Sequence, residues 1–325
     1  MIVAPNWLGD AVMALPAIAD VRRARPDATL TVAARASIAP LFSLVPGVNQ
    51  VVVLPARGAT PLSGQDIALL LPNSFHSAIR VARAGVPERW GYRTDWRGVL
   101  LTRAIDRPPV GLHQVDSYQR LVASLGFANG PSVPRLALPD DVRERARQLL
   151  VEAGWNGRAP LVAIAPGAAF GSAKRWPPAA FADLVAGLAQ DGVTSVIVGA
   201  AADRATANEV KHAADGRATP IDLVDRTDIP GLAGVLTHCR AIVANDSGAM
   251  HLAAALGVNV AAVFGPTDGQ LTSPRGGPKT AILSNDTWCR PCGLRECPLD
   301  HACMRGVRAA DVLDATRPLL VSAAS

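Results

Sequence analysis

Four short segments concentrate the residue types that bind anions or move protons. Ile242-Val243-Ala244-Asn245-Asp246-Ser247-Gly248-Ala249-Met250-His251 passes from an apolar run through a polar turn into a helical pattern. Asp246 or Ser247 suits the cap of that helix, and Gly248 lets a ligand approach the backbone. The amides of such a turn, together with the helix dipole, form an anion site, and His251 on the first turns could face the same anion. The residues equally suit a plain cap above a core histidine. Pro166-Gly167-Ala168-Ala169-Phe170-Gly171-Ser172-Ala173-Lys174-Arg175-Trp176-Pro177 is a second such turn, rich in small residues. Lys174 offers a point charge to a phosphate, with Ser172 two residues before it. A solvated loop lysine would read the same way, and the GxxxxGK[ST] fingerprint of a P-loop is absent.

The third segment, Asn6-Trp7-Leu8-Gly9-Asp10, carries an acid that could act as a general base on an acceptor hydroxyl, or simply cap the following helix. The fourth, Leu71-Pro72-Asn73-Ser74-Phe75-His76-Ser77-Ala78-Ile79-Arg80, places Asn73, Ser74, His76 and Arg80 where they could hold a polyhydroxylated or phosphorylated ligand, or serve as ordinary loop residues.

The elements that must position these segments alternate between short β-rich runs and longer amphipathic stretches. Met1–Ala4, Thr29–Ala33, Val51–Leu54 and Ile67–Leu71 read as strands, with helices predicted over Ala11–Arg25 and from the Phe75 region to Ala84. Pro131–Pro139 is Pro-rich, Asp140–Ala153 reads as a charged helix, and Gly154–Pro160 as a polar linker. A second series follows: strands at Leu161–Ala165, Val193–Val198, Ile242–Ala244 and Val260–Phe264, and helices at Pro177–Gln190, Ala202–Ala214 and Ser247–Leu256. This implies two α/β domains with mostly parallel sheets, 1–156 and 157–325, joined near 154–160. Ligands of such sheets sit at the carboxyl ends of the strands, so the cleft between domains is the expected site.

Composition agrees. The 325 residues are 49% hydrophobic and 18% charged, which excludes a disordered chain. The formal charge of +5 permits an anionic partner without identifying one, and no nucleic-acid partner is expected. Only three of the basic residues are lysines: Lys174, Lys211 and Lys279. No secretory signal or apolar run of membrane-spanning length is visible, so a cytoplasmic protein, at most peripheral to a membrane, is expected.

Taken together, PNWLGDAVMALP (5–16), LPNSFHSA (71–78), PGAAFGSAKRWP (166–177) with Phe181 after it, and NDSGAMHLAAALG (245–257) followed by FGPTD (264–268) resemble glycosyltransferase family 9. These are the ADP-heptose:lipopolysaccharide heptosyltransferases, and the resemblance is to their heptosyltransferase II type. It implies a GT-B fold, two Rossmann-like domains facing across a cleft, with the lipid-linked acceptor on the N-terminal domain and ADP-heptose on the C-terminal one. It implies inverting, metal-independent transfer of L-glycero-D-manno-heptose onto the first heptose of the lipopolysaccharide inner core, at the inner face of the inner membrane. Another nucleotide sugar or another acceptor, including the first-heptose step, stays open at this point, as does a nucleotide-sugar-binding protein without catalysis.

By the same resemblance Asp10 is the base, Lys174 meets the donor phosphate, and Asp246, Ser247 and Gly248, with His251 nearby, hold heptose and diphosphate. Ser172 is a further donor contact, and Asp203 is a candidate for the ribose hydroxyls. Asn6, Asn73, Ser74, His76 and Arg80 fall to the acceptor. Two departures stand out: His76 replaces a lysine common in the family, and Ala169 and Phe170 replace the hydroxyls and carboxylates of first-heptose enzymes. No Asp-x-Asp pair is present to bridge a diphosphate through a divalent ion, so no cofactor is expected for catalysis. Finally, Cys289-x2-Cys292-x4-Cys297-x5-Cys303 is compact enough for one structural zinc, through four thiolates or three with His301. Unliganded or redox-sensitive thiols are the alternative.

Overall fold

A computed structural model describes residues 1–55 and 62–321. The chain forms two compact units, Met1–Ala137 and Leu138–Ser325, whose last four residues lie outside the described range. The first unit contains β1 (Ile2–Val3), α1 (Leu8–Met13), α2 (Leu15–Ala24), β2 (Thr31–Arg35), β3 (Gln50–Leu54), β4 (Ile67–Leu70), α3 (Phe75–Arg83), β5 (Glu88–Tyr92), β6 (Arg103–Ile105) and α4 (Gln114–Ser124). Its strands form one parallel sheet in the order β3-β2-β1-β4-β5-β6. The predicted helix over Ala11–Arg25 is two helices divided at Ala14. Pro16 has no N–H to donate back to Val12, so the first helix cannot run through.

The second unit contains α5 (Asp140–Glu152), β7 (Leu161–Ala165), α6 (Pro178–Gln190), β8 (Thr194–Ile197), α7 (Arg204–Ala214), β9 (Ile221–Asp222), α8 (Ile229–Thr237), β10 (Ala241–Asn245), α9 (Gly248–Ala255), β11 (Asn259–Phe264), α10 (Gly269–Thr272), β12 (Thr280–Ser284), α11 (Ala302–Arg305) and α12 (Ala309–Leu320). Its parallel sheet has the order β12-β11-β10-β7-β8-β9. All five residues of β7 and of β10 are buried, the mark of strands covered on both faces.

The two sheets share one topology. In each, chain order runs outward from a central strand to one edge, then returns to the other side of that strand. The reversal falls between β1 and β4 in the first unit, and between β7 and β10 in the second. Doubly wound sheets bind ligands at such switch points, beyond the carboxyl ends of the strands. All four sequence segments leave those strands: residues 5–10 follow β1, 71–80 follow β4, 166–177 follow β7 and 245–251 follow β10.

The units divide at 137/138 rather than near 154–160. Helix α5 lies with the second unit because it packs tightly on α8. A Cβ at Gly234 would come within 2.6 Å of Ala146 Cβ, so this helix contact needs glycine. His238 Nε2 lies 2.9 Å from the Arg143 carbonyl, which secures the same pair. Among the described residues no helix is long and apolar enough to cross a membrane.

Candidate active site

In the second unit the β7 and β10 loops are knitted together by Asn245, the last residue of β10. Its side chain is fully buried. Asn245 Nδ2 donates to the carbonyls of Pro166 (2.8 Å) and Gly167 (3.3 Å), and its Oδ1 accepts from Trp176 N at 3.0 Å. One amide thus holds both ends of the 166–176 loop. Trp176 adds the apolar anchor. It is fully buried, meets the Phe181 ring edge-on with centroids 4.8 Å apart, and donates Nε1–H to the Val307 carbonyl at 2.9 Å.

That frame brings Lys174 to Asp246. Lys174 Nζ donates to Asp246 Oδ2 at 2.5 Å, and Thr267 Oγ1 donates to the same oxygen at 2.6 Å. The pair is enclosed, with side chains 12% and 5% exposed. Lys174 Nζ also lies 4.8 Å from the centroid of the Phe170 ring, within cation–π range. Ser247 is the N-cap residue of α9 by backbone position, yet its hydroxyl makes no capping bond. Its Oγ is buried and has no hydrogen-bond partner among the described residues. The first-turn amides of α9 have no acceptor within the helix, and Gly248 begins it. His251 is buried one turn on. The second unit therefore presents an enclosed ammonium, a helix N-terminus and an unsatisfied hydroxyl at one switch point, a set suited to an oxyanion.

Asp203, the residue expected at the ribose, is held by the backbone beside this site. It sits in the short turn Ala201–Asp203 after β8, where its Oδ2 accepts from Ala200 N at 3.0 Å. Its carboxylate also packs against Gly167, where a Cβ would lie 2.1 Å from Asp203 Oδ1. Ser172 is exposed on the short turn Ser172–Lys174.

In the first unit Asn6, Ser74, His76 and Arg80 line one cavity of about 630 Å³, at the switch-point end of the sheet. Sequence reasoning missed Arg35, the last residue of β2, and Ser37 just after it, which line the same cavity. Their signal was a basic residue at a strand's carboxyl end with a hydroxyl two residues on. Arg80 Nη2 lies 3.2 Å from His76 Nε2. Asn73 is not among the lining residues. Its carbonyl accepts from Thr94 Oγ1 at 2.7 Å, and its Oδ1 from Arg97 Nη2 at 3.4 Å. Ser74 caps α3, accepting from Ser77 N.

Asp10 lies in the first turn of α1, whose N-cap is Trp7, so it is not the cap. It stands close enough to the buried Tyr118 to act on its ionisation. Burial first, and the Asp10 carboxylate second, push the Tyr118 phenol well above its usual range.

The cysteine tail departs from one expectation. Among the described residues no group of three or more His, Cys, Asp or Glu side chains is placed to hold a metal ion, so a structural zinc is not supported. Cys289, Cys292, Cys297 and Cys303 are free thiols that line one cavity of about 350 Å³. Burial, then the other three thiols, raise the Cys303 pKa. The loop carrying these cysteines buttresses the Lys174 loop. Ala173 N donates to the Arg295 carbonyl at 3.0 Å, and the Arg295 guanidinium lies 5.3 Å from the Phe170 ring centroid. Arg290 Nε and Gly293 N each donate at 2.8 Å to the Gly265 and Pro266 carbonyls, next to Thr267.

Two Rossmann-like units, each with polar loops at its sheet's switch point, make up the GT-B architecture. The model for glycosyltransferase family 9 (heptosyltransferase) matches residues 59–303, well over half of the chain, and the chain belongs to that family. Lipopolysaccharide heptosyltransferase 2 of Salmonella typhimurium is 32% identical over 295 residues, covering 84% of each chain. The Escherichia coli K12 protein of the same name matches with the same identity and coverage. The structure of E. coli ADP-heptose lipopolysaccharide heptosyltransferase II superposes with a TM-score of 0.83 at 26% identity, over 98% of this chain and 97% of that one. E. coli heptosyltransferase WaaC with ADP shares the fold, with a TM-score of 0.74 at 19% identity over 98% of both chains.

Proposed function

We propose that this enzyme moves L-glycero-D-manno-heptose from ADP-heptose onto the first heptose of the lipopolysaccharide inner core, with inversion and without a metal ion. The observation that carries the substrate assignment is the 32% identity to lipopolysaccharide heptosyltransferase 2 across 84% of both chains. The second unit takes the donor and the first unit the lipid-linked acceptor. The protein works in the cytoplasm, at the inner face of the inner membrane.

The residues supply each part of a single displacement. The acceptor hydroxyl attacks the anomeric carbon, and its proton passes to the Asp10 carboxylate. The bond from that carbon to the diphosphate oxygen breaks, its electron pair leaving with ADP. Attack opposite the leaving group inverts the anomeric centre through an oxocarbenium-like transition state. Charge builds on the departing diphosphate, so the groups that matter are those that bind it more strongly as it leaves. Lys174, the α9 N-terminus and the Ser247 hydroxyl form that set. A preorganised ammonium and amides perform the work a divalent ion does elsewhere. In the ligand-free protein Asp246 balances Lys174. When the diphosphate draws Lys174 away, Thr267 still satisfies Asp246. Asn6, Ser74, His76 and Arg80, with Arg35 and Ser37, line the cavity assigned to the acceptor, and Asn73 holds that loop from behind. Asp203 shapes the donor loop through Gly167.

A donor screen with mass detection on a heptose-terminated inner-core acceptor tests the reading. Transfer from ADP-heptose and not from UDP- or GDP-sugars is expected. Transfer from another nucleotide sugar in preference would overturn it. Asp10→Ala should abolish transfer and leave ADP binding intact, whereas retained transfer would remove Asp10 as the base.

A further inference from the structure

Beyond β5 the chain does something costly. Asp95 and Trp96 both adopt left-handed backbone conformations, with φ of 49° and 59°. Side chains other than glycine rarely sit there, and a bulky one least of all. The outcome is an indole 93% exposed to solvent, followed by Val99 at 88%. Burying these side chains would have been favourable, so their exposure calls for a reason.

The segment is not loose. Arg97, fully buried, donates to the carbonyls of Tyr92 (2.9 Å) and Pro72 and to Ser77 Oγ (3.2 Å). Asp95 Oδ2 accepts from Phe75 N at 2.8 Å, and Thr94 Oγ1 donates to the Asn73 carbonyl at 2.7 Å. Thr94, Asp95 and Arg97, which flank Trp96, are therefore bolted to residues 72–77, the loop that forms one wall of the first unit's cavity. The frame that shapes that wall also drives Trp96 outward.

What surrounds Trp96 specifies the partner. Trp96, Val99, Leu101 and Ile105 share one shallow, open concavity with Arg93 and Arg103. Arg107 is exposed two residues beyond β6. Asp95 is occupied by the Phe75 amide, and Asp106 is paired with Arg93 at 3.4 Å. Arg103, its guanidinium 4.8 Å from the Trp90 ring centroid, lies near Glu88, whose carboxyl is held below its usual range by hydrogen bonds from Trp90 and Thr102 and then by this arginine, and Arg107 adds an exposed positive charge. An amphipathic indole beside aliphatic side chains and arginines is the composition that seats in the headgroup layer of a bilayer. Arginines near such a surface favour anionic lipid.

We propose that the Trp96–Arg107 surface of the first unit docks on an anionic lipid bilayer, holding the adjoining cavity wall at the headgroup layer where a lipid-linked sugar is presented. The proposal rests on the acceptor reading above for its purpose, but vesicle binding can be measured with no sugar present. It therefore stands or falls separately from the donor and acceptor assignments.

The test is flotation of the full chain with vesicles of phosphatidylethanolamine and phosphatidylglycerol, against vesicles of phosphatidylcholine alone. The wild type should bind the anionic vesicles, with binding weakened by salt. Trp96→Ser with Val99→Ser should weaken that binding by at least about tenfold, and Arg103→Gln with Arg107→Gln by a similar factor. Transfer to a deacylated, water-soluble acceptor should not change in the Trp96 and Val99 variant. Trp96→Gly, which removes the indole and suits the left-handed backbone, should lose vesicle binding while melting no lower than wild type. Undiminished binding by these variants, or no binding by the wild type, overturns the proposal. So does a concentration-dependent dimer that the Trp96 variants abolish, since the surface would then meet a second copy.

Discussion

Replacing Ser247 by alanine should move two free energies in opposite directions. The Ser247 hydroxyl is buried and has no hydrogen-bond partner among the described residues. An unsatisfied buried polar group costs about 1–3 kcal/mol, so removing it should leave the ligand-free protein as stable as wild type or more stable by about 1 kcal/mol. If the hydroxyl instead donates to a diphosphate oxygen when ADP binds, its loss forfeits a hydrogen bond to a charged group. Such a bond is worth about 1.5–3 kcal/mol, which corresponds to about tenfold to 150-fold weaker ADP binding. Urea denaturation of the ligand-free protein measures the first quantity and titration calorimetry with ADP the second. Lys174→Met is a poorer probe, because it strands a carboxylate only 5% exposed at Asp246. Breaking a buried pair costs about 3–5 kcal/mol, so stability and binding would fall together and neither could be assigned. Ser247→Ala carries no such penalty. A ligand-free protein destabilised by more than about 1 kcal/mol would show that the hydroxyl has a structural partner. Unchanged ADP affinity would show that it does not face the donor.

Asn245→Ala should destabilise the second unit by about 3 kcal/mol, since it leaves Trp176 N and Pro166 O without partners, and should weaken ADP binding; urea denaturation and calorimetry test both. Gly167→Ala should displace the donor loop, because its Cβ would stand 2.1 Å from Asp203 Oδ1. Adding Asp203→Ala should recover much of the lost ADP affinity, and purely additive losses would refute the contact as the cause. Cys239 is buried, and burial pushes its thiol up to about 12, so it should be alkylated after Cys289, Cys292 and Cys297 and only on unfolding. Because its folded pKa lies above the unfolded value of 9.0, the stability it contributes is complete below pH 9 and is lost as pH rises towards 12. Cys239→Ala should therefore show a flatter fall in stability over that range, by up to about 1.4 kcal/mol per pH unit, in pH-dependent urea denaturation.

Much of the architecture could be read in the chain because buried parallel strands are plain apolar runs. Leu161–Ala165 is predicted and observed with the same bounds. The Rossmann order repeated in the two sheets could not be read, since strand adjacency is set by contacts far apart in sequence. Edge strands such as Arg103–Ile105 and Ile221–Asp222 carry no apolar run to announce them. The join was misplaced for a related reason. A polar linker at 154–160 marks the end of α5, but which unit a helix belongs to depends on what it packs against, and Gly234 opposite Ala146 decided that. At the site, the residue types were legible in the sequence and their partners were not. Lys174 and Asp246 stand out in sequence as separate contacts for a ligand, whereas the fold makes them contacts for each other. Asn245 looks like one more polar residue of a turn and proves to be the fastener of the loop.

The three lysines show why position, rather than charge, marks the site. Lys211 shares Asp222 with Arg204 and is 37% exposed, and Lys279 donates to the Pro318 carbonyl in the last turn of α12. Both do work that arginine does elsewhere in this arginine-rich chain. Lys174 differs in its surroundings. Its ammonium fits between one carboxylate oxygen at 2.5 Å and an aromatic ring at 4.8 Å, in a space where a planar fork with five donors would leave several unpaired. A compact charge on a flexible stem can turn from Asp246 to an arriving oxyanion without rebuilding the loop. The loop itself stays held by Asn245, Trp176 and the Arg295 carbonyl. Rigidity therefore belongs to the backbone and freedom to a single side chain. In the proposed reaction, that division keeps a buried cation balanced by Asp246 until a diphosphate arrives and then turns it to the charge that develops as the bond to the anomeric carbon breaks.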